Sequence, residues 1–311
     1  LKTVDLFAGG GGLSAGFAKE GFEIVAAYEL WEPAANCHEK NFNHPVMRLN
    51  LADTDQATAS IAKFKPNVII GGPPCQDFSQ AGKRIESKQA DLTLSFLQIV
   101  SSIKPLYFVM ENVERIIKSK VFSKAREEFK AIGYGLTECI LLASKCGVPQ
   151  RRKRFFCLGS LNDCDDFLLE SLMSNLSLTE MTVRDYFGDN LNFEFYYRHP
   201  RNYSRRGIFS IDEPAATIRG VNRPVPQGYP GHRNDACELN DSLRPLTTHE
   251  RARIQTFPED YKFYGTKTEI EQIIGNAVPV KLAQYVAHNL YKHINCSDDN
   301  KYKVGRFNKL F

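Results

Sequence analysis

No apolar run in this chain approaches the ~20 residues that a membrane-spanning helix requires, so no segment of this sequence is expected to cross a bilayer as a helix. Cys139, Cys146, Cys157 and Cys164 are spaced too widely for a C-x-x-C zinc knuckle, and no metal site is expected. Charge of one sign is nearly lacking in excess. The formal net charge is +4, too small by itself to mark a nucleic-acid binder. An initiator Met is missing, and the opening "LKTVDLFAGG" reads as a strand and a turn rather than a signal peptide. The first residue is therefore expected to follow processing or trimming. Eight cysteines without an export signal point to free thiols in a reducing, cytoplasmic setting.

What remains is an ordinary globular composition, 42% hydrophobic and 24% charged over 311 residues, enough for one large domain or two ordinary ones. In the first half, strand-length apolar runs alternate with helical segments. "TVDLF" (3–7), "EIVAAYE" (23–29), "NVIIGG" (67–72) and "LYFVMEN" (106–112) are the runs. "GLSAGFAKEG" (12–21), "PAANCHEKNF" (33–42), "DLTLSFLQIVSSI" (91–103) and "SKAREEFKAIGY" (123–134) are the helices. That rhythm predicts a parallel α/β sheet covered on both faces. "TECILLA" (137–143) and "RFFCLGS" (154–160) are expected to pair as sheet edges. After residue 160 the periodicity fails, and 161–265 reads as a smaller domain of loops and short strands. A terminal helix over 275–294, with Pro279 in its first turn, is expected to return to the first domain (1–160). The stretch 295–311 is polar and receives no role.

Several short stretches carry chemistry. In "DLFAGGGGLSAGF", glycines 9 to 12 join a strand to a helix, where backbone without Cβ can approach a ligand. Gly10-x-Gly12-x-x-Ala15 fits a dinucleotide fingerprint, with Glu29 placed to hold ribose hydroxyls, so a nicotinamide enzyme and an S-adenosylmethionine enzyme both remain open here. In "VIIGGPPCQDFSQ", a buried strand ends in two glycines and two prolines that stiffen the backbone before Cys75. A nucleophile needs such a mounting, although a core thiol fits the tetrad as well. Glu111, ending "YFVMEN", would meet Cys75 at the carboxyl edge of the sheet, or would cap the next helix. The basic clusters "QRRKR" (150–154) and "YYRHPRNYSRR" (196–206) complete the set; taken alone, each reads as a solvated face.

Together the motifs resemble those of the DNA (cytosine-5) methyltransferases of bacterial restriction–modification systems. "DLFAGGGG", with Asp5, Phe7, Gly9 and Gly11, looks like the family's cofactor motif. "GGPPCQDFS" resembles the catalytic loop, "ENV" the glutamate motif, "QRRKR" the Gln-x-Arg-x-Arg motif and "GNAVPV" the terminal Gly-Asn motif. All five occur in family order between residues 5 and 280. The resemblance implies a Rossmann-like S-adenosylmethionine-dependent methyltransferase sheet, made of 1–160 and 266–294, with a target-recognition domain at 161–265. It implies Cys75 as nucleophile toward cytosine C6, Glu111 at N3 of the base, and Arg154 on the base and its oxyanion with Arg152 in support. Phe7, Gly9, Gly11, Glu29, Asn50, Pro74 and Asn276 are implied around S-adenosylmethionine. Gln76 and Ser79 are candidates for phosphate or flipped-strand contacts, with packing of their own loop as the alternative, and Arg198, Arg201, Arg205 and Arg206 are assigned to phosphates or guanine edges. Two positions depart from the pattern: Asn50 stands where an aspartate is common, with Asp53 a substitute acceptor, and Leu30 intervenes before Trp31. The expected partner is duplex DNA, bound by a monomer, with a restriction endonuclease acting on the same site. A tRNA cytosine-5 methyltransferase and an inactive DNA-binding relative are the rival readings.

Overall fold

The computed structural model describes residues 1–74, 92–188 and 191–307, with side chains described through residue 295. Cys75, Gln76 and Ser79 lie outside the described residues. The first half runs β1 (Lys2–Leu6), α1 (Gly12–Lys19), β2 (Glu23–Tyr28), α2 (Glu32–Glu39), β3 (Val46–Met47), α3 (Thr54–Ala62), β4 (Val68–Gly71) and α4 (Leu92–Ile103). It continues with β5 (Tyr107–Asn112), α5 (Lys120–Ile132), β6 (Tyr134–Leu142), β7 (Gln150–Arg151) and β8 (Lys153–Leu161).

Seven of these strands form one sheet in the order β3-β2-β1-β4-β5-β8-β6. Neighbours from β3 to β5 are parallel. The sheet differs from the expected one at β8, which lies between β5 and β6 rather than at an edge and runs antiparallel to both. The reason is the connection. Only residues 143–152 separate β6 from β8, too few for a crossover helix, so the chain must turn back on itself.

The alternation of the central strands divides the core into two layers. Ile69, Phe108 and Met110 share one cluster with Ile61 of α3, Phe96 of α4 and Phe129 of α5. Val68, Ile70 and Val109 share the other with Phe17 of α1 and the last helix. Period-2 strands buried on both faces produce this division, each burying nearly every side chain.

Beyond β8 come α6 (Leu169–Ser174), α7 (Val183–Phe187), β9 (Phe195–Tyr197), β10 (Ile208–Ser210), β11 (Ala215–Ala216), α8 (Thr248–Ile254), α9 (Lys267–Asn276) and α10 (Val280–Phe307). β9 and β10 pair antiparallel, while β11 pairs parallel with β7. Leu168 and Leu172 pack with α10 in the core of the large sheet. Tyr196, Phe209, Ile218 and Ile254 form a separate cluster. The terminal helix begins just after Pro279, whose carbonyl accepts the Ala283 N–H. Ala283, Val286, Ala287, Leu290 and Ile294 are buried as the spacing predicts, and the helical backbone runs on into the polar stretch as far as Phe307. Helix α9 ends at Asn276, so "GNAVPV" is the joint between two helices rather than the start of one.

Candidate active site

The carboxyl edge of β1, β2, β4 and β5 opens on a cavity of about 840 Å³. Its floor is the glycine-rich turn. Phe7, Gly9 and Gly11 all have positive φ (56°, 54° and 84°), which folds the chain tightly between β1 and α1. A Cβ on Gly9 would meet nothing within 4 Å, so its bare face looks onto open space; one on Gly11 would come within 2.6 Å of the Phe42 ring. The turn is held by Glu29, which accepts the Gly9 N–H on one carboxylate oxygen (2.8 Å) and the Trp31 N–H on the other (2.7 Å). Burial pushes the Glu29 carboxyl up and these amide donors oppose it. Below the turn, fully buried Asp5 accepts the Ser14 hydroxyl at 2.7 Å, and burial raises its pKa to about 7.

The opposite wall comes from β5 and β8. Because β8 is reversed, its first residues stand beside the last residues of β5, with Phe155 opposite Asn112. Arg154 therefore reaches Glu111, and its Nε lies 2.8 Å from Glu111 Oε1. Both side chains are nearly buried. Burial pushes the Glu111 carboxyl up, against the lowering effect of Arg154 and Arg152. The next residue, Asn112, donates from its side chain to the Pro73 carbonyl at 2.9 Å. The rigid segment leaving β4 is thus fastened to the end of β5 immediately before Cys75.

Arg152 lies deeper and is 1% exposed. It donates to the carbonyls of Ile218 (3.0 Å), Gly275 (3.1 Å) and Ala277 (3.1 Å), rather than to Glu111. Burial and the neighbouring Arg154 charge push its pKa well below the usual guanidinium value.

Arg152, Arg154, Val113 and Asn276 line this cavity and also a second one of about 1180 Å³. The second is a basic cleft, with Arg115, Lys153, Arg201, Arg219 and Arg223 on its walls. Nothing in the sequence singles out Arg219 and Arg223 among the arginines of that region. Arg205 is exposed nearby. Arg198 donates to the Thr217 carbonyl at 2.8 Å, and Arg206 pairs with Glu213 while lying over the Phe209 ring. Phe7, Gly9, Glu29, Asn50, Pro74 and Asn276 all line the first cavity, and Gly11 lies in its floor turn. Asn50 accepts the Ala52 N–H at 3.0 Å, whereas Asp53 caps α3 by accepting the Gln56 N–H at 3.1 Å. Leu30 and Trp31 both face the cavity, so the residue intervening before the tryptophan adds to the wall. Helices α8 and α9, which supply residues around this junction, are not evident from periodicity. Their capping boxes, Thr247 with Glu250 and Thr266 with Glu269, are the signal that could have found them.

A C-5 cytosine-specific DNA methylase profile matches residues 1–292. The type II methyltransferase M.HindV of Haemophilus influenzae is 57% identical over 290 residues, covering 92% of this chain and 95% of that one. M.HgiDI of Herpetosiphon aurantiacus is 52% identical over 296 residues, covering 95% and 96%. Among solved structures, the Dnmt2 methyltransferase of S. pombe superposes with a TM-score of 0.70 at 19% identity, over 95% of this chain and 99% of that one. A DNA modification methyltransferase encoded by an E. coli prophage gives 0.69 at 22% identity, with 95% and 99% covered, which extends the likeness of fold. A profile match over nearly the whole chain, two relatives above half identity, and a carboxylate–guanidinium pair beside a glycine-floored cavity lead to one assignment: the chain belongs to the C-5 cytosine-specific DNA methylases and is an S-adenosylmethionine-dependent DNA methyltransferase.

Proposed function

We propose that this enzyme methylates C5 of a cytosine swung out of duplex DNA, through a covalent bond between Cys75 and C6 of the base. The observation that carries the reading is the Glu111–Arg154 pair, in which Glu111 lines the first cavity and Arg154 lines both. S-adenosylmethionine supplies an electrophilic methyl group when bound. The first cavity suits it: the bare face of Gly9 admits close backbone approach, Glu29 presents a buried carboxylate for ribose hydroxyls, and Leu30, Trp31 and Leu49 offer apolar walls. Phe7, Gly11, Asn50, Pro74 and Asn276 complete this set. The second cavity suits a polyanion, with Arg201, Arg219 and Arg223 on phosphates or base edges and Arg205 beside them. Arg198 and Arg206 shape that wall through their own chain contacts and complete the basic face. Gln76 and Ser79 are assigned to phosphate or flipped-strand contacts.

In the mechanism, C5 of cytosine is a poor nucleophile until a thiolate adds at C6 and makes the ring enamine-like. Glu111 acts at N3, and burial keeps its carboxyl ready to hold or give a proton as charge develops. Arg154 holds Glu111 and steadies the growing negative charge on the base. Loss of the C5 proton then expels the thiol. None of these atoms is reachable inside a stacked duplex, so the base must leave the helix. Its setting is restriction–modification, where a monomer marks one short sequence and protects host DNA from an endonuclease.

Bisulfite sequencing of DNA from methylation-free bacteria expressing the chain, beside a Cys75→Ser control, tests the reading. The expected result is protected cytosines in one short context, absent in the control. Soluble protein that binds S-adenosylmethionine but protects no cytosine would overturn the DNA assignment.

A further inference from the structure

Between the two cavities lies a chain of buried amides that neither the catalytic pair nor the cofactor turn uses. Gln150 and Gln255 are both fully buried. The Ile218 N–H donates to Gln150 Oε1 at 2.9 Å. Gln150 Nε2 donates to Gln255 Oε1 at 2.7 Å. Gln255 Nε2 donates in turn to the carbonyls of Ile274 (2.6 Å) and Ala277 (3.0 Å). The orientation of both side-chain amides is forced from the ends. A backbone N–H at Ile218 demands an oxygen, and two backbone carbonyls at the other end demand N–H groups, so neither amide can flip.

The ends of this chain matter. Ile218 directly precedes Arg219 on the wall of the basic cleft. Ile274 and Ala277 bracket Asn276, which lines the cofactor cavity. Arg152 spans the same gap, since one guanidinium holds the carbonyls of Ile218, Gly275 and Ala277. Both hydrogen-bonding groups of Ile218 are therefore fixed by side chains from one short segment, 150–152. The backbone carbonyl of Gln255 also receives the Val280 N–H, fastening the start of α10 to the same point.

We propose that Gln150 and Gln255 are positioning residues that set the Arg219 wall of the cleft and the Asn276 wall of the cavity together, so that disturbing either amide weakens DNA and cofactor binding at once. The inference rests on the reading that S-adenosylmethionine occupies the first cavity and DNA the second. Wild-type binding of each ligand tests that reading; the variants test the relay. Gln255→Glu keeps shape and the acceptor for Gln150 but replaces the donor facing two carbonyls with a carboxylate. Protonation of that carboxylate returns one donor, and burial brings its titration toward neutral pH.

The experiment measures Kd for S-adenosylhomocysteine, and separately for a duplex carrying the sequence found by bisulfite mapping, at pH 8 and pH 6. With hydrogen bonds and a buried carboxylate at stake, Gln255→Glu is expected to raise both Kd values about tenfold at pH 8. Both should move back together at pH 6, a recovery that a general loss of folding would not give. Gln150→Glu keeps the acceptor for Ile218 and turns its new carboxylate oxygen on one acceptor, Gln255 Oε1, rather than on two carbonyls, so a smaller rise in both values is expected. It is read by the same criteria if the first variant does not fold. Weakening of one ligand alone, equal weakening at the two pH values, or unchanged Kd values in a folded variant would each overturn the proposal. Failure of both variants to fold would overturn it too, because positioning requires a folded chain with displaced walls.

Discussion

The glycine-floored cavity and the basic cleft share Val113, Arg152, Arg154, Gly275 and Asn276, yet they are built on different principles. The cavity is made of backbone geometry: positive-φ residues, a bare glycine face, and a carboxylate already engaged by two amides. The cleft is made of long cationic side chains, several of them exposed, with Arg201, Arg219 and Arg223 on loops and Lys153 at the start of β8. A pocket of the first kind selects one small molecule by shape, whereas a surface of the second kind attracts any polyanion and leaves selection to a few contacts. The Glu111–Arg154 pair reaches the seam through Arg154, and the seam is where a single substitution should do most harm.

Glu111→Gln should lower kcat at least about 100-fold, the low end of what general acid–base groups contribute, while Kd for S-adenosylhomocysteine stays within a few-fold of wild type. Single-turnover methyl transfer alongside calorimetric binding checks this. A parallel loss of cofactor affinity would erase the distinction between seam and cavity. Arg219→Ala with Arg223→Ala should weaken DNA binding about tenfold at moderate salt and flatten the slope of log Kd against log salt by about 0.9 per arginine. Cofactor binding should show no such slope. Fluorescence anisotropy over a salt series reads both, and an unchanged slope would remove these arginines from the phosphate contacts.

The smallest effect belongs to the cavity's foundation. Asp5 has a folded pKa of about 7 against an ordinary value of 3.8, so the folded chain holds a proton that the unfolded chain has released between those values. Stability contributed by this group is present at low pH, declines as pH rises toward 7, and stays low above it. Asp5→Asn removes the titration. Its melting temperature should exceed wild type by several degrees at pH 8 and by less at pH 5, as scanning calorimetry would show. An equal gap at both pH values would mean that Asp5 does not titrate with folding.

The two regions also differ in how far the sequence discloses them. Strand β1 and the glycines after it are legible because an apolar run meeting Gly9 to Gly12 leaves few backbone options. Glu111 and Arg154 are legible as types, but their contact depends on β8 inserting beside β5, a long-range pairing that no local pattern encodes. The pairing of Arg206 with Glu213 is equally hidden, because charge density alone does not tell a guanidinium facing solvent from one facing its own chain. Strand β3, of two residues, is too short to give a period. Helix α3 alternates Ala, Thr and Ser and buries only Ala57 and Ile61, a face too narrow to stand out.

The reversal of β8 has a further consequence. In an all-parallel sheet, the opening residues of every strand face the edge away from the ligands, so half of each strand's termini are lost to chemistry. Turning one strand round recruits its opening residues to the working edge, which is how Arg154 arrives beside Glu111. A one-residue insertion that slides the register would carry Arg154 to the opposite face of the sheet. The register of β8 against β5 and β6 is thus what keeps Arg154 on the face of Glu111.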